Sequence, residues 1–116
     1  MNVGDLYWVE FPARGGRAQT GRRPAIIVQH RIKLPTTLLI PLTSQLDALR
    51  FPGTVLIEAN KQNGLRDASI ALVFQLTAVD NRFITDRLGN VSQMVMQQIW
   101  SALDRLTGRV PEDSAP

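Results

Sequence analysis

The 116-residue chain contains no cysteine. Disulfides, thiolate metal sites and a cysteine nucleophile are therefore excluded, and the usage fits a reducing compartment. Histidine is almost as scarce: His30 stands alone, with no acidic or second imidazole neighbour close in sequence. A histidine-led triad or histidine metal site is not expected, and His30 reads as a surface or loop-closing residue. No stretch approaches the ~18 apolar residues of a membrane span. The start, MNVGDLYWVEF, puts Asp5 and Glu10 where a secretory leader needs a basic flank and a clean apolar stretch. The expectation is a soluble, cytoplasmic chain with no membrane role.

Acidic residues are absent from one stretch in particular. None occurs between Glu10 and Asp47, where Arg14, Arg17, Arg22, Arg23, Arg31 and Lys33 all fall. The chain has a net charge of +3 overall, so the remainder is net −3. Such asymmetry favours a focused anion-binding face over general basicity. The Gly/Arg-rich segments ARGGR and QTGRR lack the Gly-Lys-Ser/Thr spacing of a phosphate-cradling P-loop, so nucleotide hydrolysis is disfavoured. Asp80 and Asp86 are too weak a pair to imply a divalent ion. No metal and no cofactor are expected.

At 44% hydrophobic residues, the length fits one domain with one modest core, placed at 1–108 with a flexible tail at 109–116. Strand formers and turn chemistry predict strands over 5–11, 24–30, 36–44, 53–59, 68–80 and 82–89. In this reading 12–23 is a Gly/Arg-rich loop and Pro24 opens its strand, where the missing N–H is tolerated. Pro41 implies an edge or a bulge. The last two strands, separated by Asp80 and Asn81, read as a hairpin. The one helix spans 92–107, with Ser92 as N-cap, Gly108 at C′ and Pro111 barring continuation. Its apolar face is Met96, Ile99, Leu103 and Leu106. The order predicts a mainly β fold: a small curled antiparallel sheet or SH3-like barrel of five to six strands, closed by a C-terminal helix.

The groups that remain suit a phosphodiester. Guanidiniums bind phosphate oxygens bidentately, and hydroxyls cluster at a strand end. Arg23 is restricted by Pro24 and anchored by the apolar run Ala25–Val28, so its guanidinium can be placed reproducibly. Thr43 and Ser44 follow Pro41. If 24–30 and 36–44 pair through the turn at 31–35, Arg23 and Thr43 face a shared site, provided the register turns their side chains the same way.

These residues carry a resemblance. The chain resembles MazF/PemK-type toxins, the endoribonuclease half of bacterial toxin–antitoxin pairs, over about residues 3–107. The shared marks are GDLYWVEF, GRRPAIIV, IPLTSQ, GTVLIEA followed by NGLRDAS, and FQLTAVDNRF, in that order. The resemblance implies a homodimer of small barrels, MazF/CcdB-like in fold. It implies sequence-specific, metal-independent cleavage of single-stranded RNA to a 2′,3′-cyclic phosphate and a 5′-hydroxyl. It also implies inhibition by a cognate acidic, partly disordered antitoxin. The family's catalytic arginine falls on Arg23 and its catalytic threonine on Thr43; its two glutamines match Gln19 and Gln75. Two acidic positions of the pattern are Ala18 and Phe74 here, which puts any carboxylate acid–base role in question.

In such a reaction Arg23 suits the negative charge of the phosphorane, since a guanidinium keeps its proton and is a poor base. Thr43 and Ser44 hydrogen-bond the scissile phosphate, and Arg14, Arg17 and Arg22 supply sequence-tolerant affinity. Trp8 and Phe51 are the aromatics that could stack on unpaired bases, although Trp8 reads better as structural. Three rivals are a CcdB-type gyrase poison, which needs no catalytic arginine, a non-catalytic RNA-binding barrel, and a degenerate toxin kept as an antitoxin sink.

Overall fold

Strand β1 (Asp5–Phe11) alternates residues between two buried environments, and this alternation organises the molecule. Its Leu6 joins a cluster with Ile26, Ile40, Leu42 and the helix residues Met96, Ile99 and Ala102. Its Val9 and Phe11 join a second cluster with Ala25, Ile27, Leu39 and Val79. Neighbouring residues of the central strands thus bury on opposite faces, which explains why Ala25–Val28 is continuously apolar rather than alternating. The one modest core expected from composition is divided by the sheet into these two clusters and a small third one of Ala48, Ile70 and Leu72.

The computed structural model describes residues 1–12 and 21–110. After β1 come β2 (Gly21–Ile27), β3 (Thr36–Thr43), a 3₁₀ turn (Leu46–Arg50), β4 (Thr54–Ile57) and β5 (Ser69–Leu72). A 3₁₀ turn (Val73–Gln75) leads to β6 (Thr77–Asp80); another (Asn81–Phe83) leads to β7 (Ile84–Asn90) and helix α1 (Gln93–Leu106). The strands form one antiparallel sheet in the order β4-β5-β3-β2-β1-β7, with β6 also on β3. The mainly β class and the closing helix agree with expectation; the strand count is seven rather than five or six.

Three boundaries differ for identifiable reasons. Strand β2 starts at Gly21, because its ladder with β1 runs from Phe11↔Gly21 to Leu6↔Ile26. Arg22 and Arg23 therefore lie within a strand, and Pro24 is interior to it. The β3 ladder begins only at Ala25↔Pro41, so no bond to β3 is asked of Pro24.

The segment 68–80 is not one strand. Its first half pairs with β3 at Leu42↔Ala71 and Thr43↔Ile70, its second from Leu39↔Thr77 to Thr36↔Asp80, and the three-residue 3₁₀ turn takes up the register change between them. The expected hairpin of 68–80 with 82–89 does not form. Strand β6 pairs with β3, and β7 pairs with β1. Asn81 causes the divergence: its Nδ2 donates to the Leu34 carbonyl at 2.7 Å, its backbone N–H donates to the Pro35 carbonyl at 3.0 Å, and its Oδ1 accepts from the Thr37 hydroxyl at 2.6 Å. That tie to the β2–β3 turn carries the chain onward to β1.

Helix α1 starts as its sequence indicates, with Ser92 Oγ accepting from the Val95 N–H at 3.2 Å. It ends before Gly108 at φ +78°. Met96 and Ile99 are buried as expected, joined by Ala102, while Leu103 is partly buried and Leu106 is exposed. Leu106 instead covers Gly53, where an added Cβ would lie 2.7 Å from its Cδ1. After the helix, the Arg109 Nε meets Asp104 Oδ1 at 2.8 Å; 111–116 lie outside the described residues.

Candidate ribonuclease site

Two prolines stand where β2 and β3 part. The ladder ends at Ala25↔Pro41, and neither Pro24 nor Pro41 has an N–H with which to extend it. Beyond this point β3 turns to β5 through Leu42↔Ala71. A crevice of about 320 Å³ opens in the gap, lined by Arg23 and Thr43 and, at its rim, by Trp8, Arg22 and Ser44. Carrying the β2–β3 register two residues past Ala25↔Pro41 sets Arg23 opposite Thr43, on the same side of the sheet. Both strand-end residues line this one crevice.

Each side chain is placed by its strand. Arg23 pairs with the core residue Val9 across the sheet and is half-buried. Thr43 is 6% exposed, and its Oγ1 accepts from the Gln45 N–H at 3.2 Å. The hydroxyl proton of Thr43 is left to donate, which is what a phosphate oxygen requires. Ser44 is exposed at the same lip.

Arg22 is held differently. Its guanidinium carbon sits 4.2 Å from the centroid of the Trp8 ring, with Nε 3.7 Å from Glu10 and an Nη 3.4 Å from Asp86. Both ion pairs are long and exposed, each contributing less than about 1 kcal/mol, so a phosphate can take their place at little cost. Trp8 consequently has one ring face covered by Arg22, in line with a structural role.

Gln75 does not line this crevice. It lies in a second one, about 270 Å³, together with Gln45, Phe51 and Phe74. Thr43 lines both. Arg14, Arg17 and Gln19, with Ala18, lie outside the described residues. His30 is an exposed loop residue. Asp80 and Asp86 are engaged apart: Asp80 caps a 3₁₀ turn by accepting from the Arg82 N–H at 3.0 Å, and Asp86 faces Arg22. Among the described residues no three His, Asp or Glu groups converge as a metal site. No described helix is long and apolar enough to cross a membrane.

The far wall of the crevice was not legible as such. It is the 58–67 loop, which contributes Gly64, Leu65, Arg66 and Asp67. Asn60 and Asn63 clasp it: Asn63 Oδ1 accepts from the Asn60 and Leu65 N–H groups at 3.1 and 2.9 Å, Asn63 Nδ2 donates to the Glu58 carbonyl at 2.8 Å, and Asn60 Oδ1 accepts from the Asn63 N–H at 2.8 Å. Asn63 is 2% exposed, so these bonds replace water entirely. Glycines press the loop against β7, where the Asn90 N–H donates to the Gln62 carbonyl at 3.0 Å. An Asn-Gly turn followed, after Leu65, by Arg-Asp was the available signal for this wall.

The family described as PemK-like, MazF-like toxin of type II toxin-antitoxin system matches residues 2–107. Endoribonuclease EndoA of Bacillus subtilis is 28% identical over 103 residues, spanning 86% of this chain and 88% of that protein. Endoribonuclease MazF of Staphylococcus saprophyticus is 27% identical over 107 residues, 90% of this chain and 88% of that one. Among solved structures, MazF (Form-I) from Deinococcus radiodurans shares the fold with a TM-score of 0.79 at 24% identity, covering 93% of this chain and 96% of its own. The MazE-MazF (Form-II) structure from the same organism gives 0.73 at 23% identity, over 95% and 97%. With its family match running from the first strand to the end of the helix, the chain belongs to the PemK-like, MazF-like toxins of type II toxin–antitoxin systems.

Proposed function

We propose that the protein is an endoribonuclease toxin that cuts single-stranded RNA within a short sequence motif, without metal. The observation that carries this is the meeting of Arg23 and Thr43 in one crevice, where the β2–β3 ladder ends. A relative named as an endoribonuclease covers 86% of the chain. The 2′-hydroxyl attacks the adjacent phosphorus, giving a 2′,3′-cyclic phosphate and a 5′-hydroxyl. Arg23 stabilises the added negative charge of the phosphorane, and the Thr43 hydroxyl, with Ser44, orients the phosphate.

Arg14, Arg17 and Arg22 bind the flanking phosphates, and Gln19 and Gln75 supply hydrogen bonds to bases. An unpaired strand presents its base edges for such readout, which a duplex hides. Thr43→Ala tests the assignment against a non-catalytic RNA-binding barrel. Cleavage should fall by on the order of 10²-fold with RNA affinity within about twofold of wild type; undiminished cleavage contradicts it.

The protein acts as a homodimer. Leu46, Leu49, Phe51 and Phe74 are exposed, and the two phenylalanine rings meet with centroids 5.8 Å apart, an apolar surface that a second copy would bury. Equilibrium sedimentation should give a dimer that Leu49→Asp converts to a monomer. A wild-type chain that sediments singly contradicts the dimer.

Its inhibitor is an acidic antitoxin that occupies the basic crevice and is displaced by RNA; the Deinococcus MazE-MazF structure is a neighbour in fold. Competition between the two ligands, weakening as salt rises, checks this, and simultaneous binding overturns it. The site of action is the cytoplasm, checked by fractionation of the producing cell; recovery with membranes overturns it.

A further inference from the structure

We infer that Asp67 accepts the proton of the attacking 2′-hydroxyl, an inference that rests on the ribonuclease reading above. Neither Arg23, a permanent cation, nor Thr43, whose hydroxyl is oriented as a donor, is suited to take a proton at neutral pH. Among the described residues that line this crevice, one is acidic, Asp67.

Among the described residues Asp67 also differs from most acidic groups in having no ion-pair partner. Asp5, Glu10, Asp47, Asp80, Asp86 and Asp104 each face an arginine within ion-pair distance. Glu58 and Asp67 are the two carboxylates without such a pair among the described residues, and only Asp67 lines the crevice. Its backbone is nonetheless fixed. The Ser69 hydroxyl donates to the Asp67 carbonyl at 3.0 Å, and three residues after Asp67, β5 pairs Ile70 with Thr43. The Asn60–Asn63 clasp holds the other end of the loop. A carboxylate without an ion-pair partner among the described residues, on a fastened backbone at the wall of the crevice that Arg23 and Thr43 line, is what a general base requires.

In the step so assigned, Asp67 takes the 2′-hydroxyl proton as the O2′–P bond forms. The P–O5′ bond breaks, and the leaving 5′-oxygen takes a proton from water at the open side of the crevice. Asp67 then returns its proton to solvent. Charge and atoms balance with no other reactant.

The test compares wild type, Asp67→Asn, Asp67→Ala and, as the control for an unpaired carboxylate elsewhere, Glu58→Gln. The measurements are single-turnover cleavage rates and affinity for a 2′-O-methyl RNA that cannot react. Asp67→Asn should lose on the order of 10²- to 10³-fold in rate, while affinity stays within threefold and Glu58→Gln cuts like wild type. Added formate should restore part of the Asp67→Ala rate, which a merely structural role would not permit. Wild-type cleavage with an undiminished Asp67→Asn rate, or a loss that formate leaves unchanged, overturns the inference alone. Wild-type protein that binds RNA without cutting it overturns the ribonuclease reading and this inference together.

Discussion

An Arg23→Ala variant is expected to keep its fold and lose RNA cleavage by on the order of 10³-fold or more. A guanidinium aimed at a phosphorane supplies stabilisation that exists chiefly in the transition state, and removal of such a donor lowers kcat far more than it raises KM. At ~1.36 kcal/mol per decade, the loss corresponds to about 4 kcal/mol of transition-state stabilisation. Arg23→Lys separates charge from geometry: lysine keeps the cation but loses the planar two-donor fork, so it should recover only a small part of the rate. Circular dichroism and a thermal melt must show both variants folded. A folded Arg23→Ala protein cutting at the wild-type rate would remove Arg23 from the chemistry.

Gly64→Ala should bring the largest loss of stability, about 3 kcal/mol. Gly64 has φ +69°, which disfavours any Cβ by about 1 kcal/mol, and its Cβ would lie 2.2 Å from the Leu88 carbonyl oxygen. Backbone cannot yield as a side-chain tip can, so overpacking adds about 1–3 kcal/mol. Gly89 completes the contact from the β7 side, where an added Cβ would lie 2.2 Å from the Gln62 carbonyl oxygen. The comparison is Gly21→Ala, at φ +80° with no heavy atom within 4 Å of the added Cβ, which should lose only the conformational part. Urea midpoints at constant m-value measure both. Equal losses in the two variants would show that the loop does not bear on β7 as described. Because this loop is the crevice wall, Gly64→Ala should also slow cleavage at temperatures where it remains folded.

The positions that were readable in the sequence share a feature: a local signal with one structural meaning. Ser92 and Gly108 bracket the helix by capping chemistry alone. Two apolar runs joined through 31–35 are what point Arg23 and Thr43 to one place, and both line the same crevice. Long-range competition decided what stayed hidden. Nothing in Leu72-Val73-Phe74-Gln75 marks a turn; the break there belongs to β3, which passes from β6 to β5 along one edge. The two-residue gap at Asp80 and Asn81 has hairpin chemistry, but Asn81 spends its side chain on Leu34 and Thr37. Arg22 reads as a loop charge, yet Glu10 and Trp8 claim it across β1. Asp67 was hidden for the opposite reason. What marks it is a place in the crevice wall without an ion-pair partner among the described residues, and this is visible only once the chain is folded.

The central claim is tested most directly by incubating the antitoxin-free protein with a long defined RNA in excess EDTA and mapping the chemistry of every new end. The account predicts breaks at one recurring short motif, each leaving a 2′,3′-cyclic phosphate and a 5′-hydroxyl, and none with Arg23→Ala. RNA that stays whole, or ends that carry a 3′-hydroxyl, would contradict it.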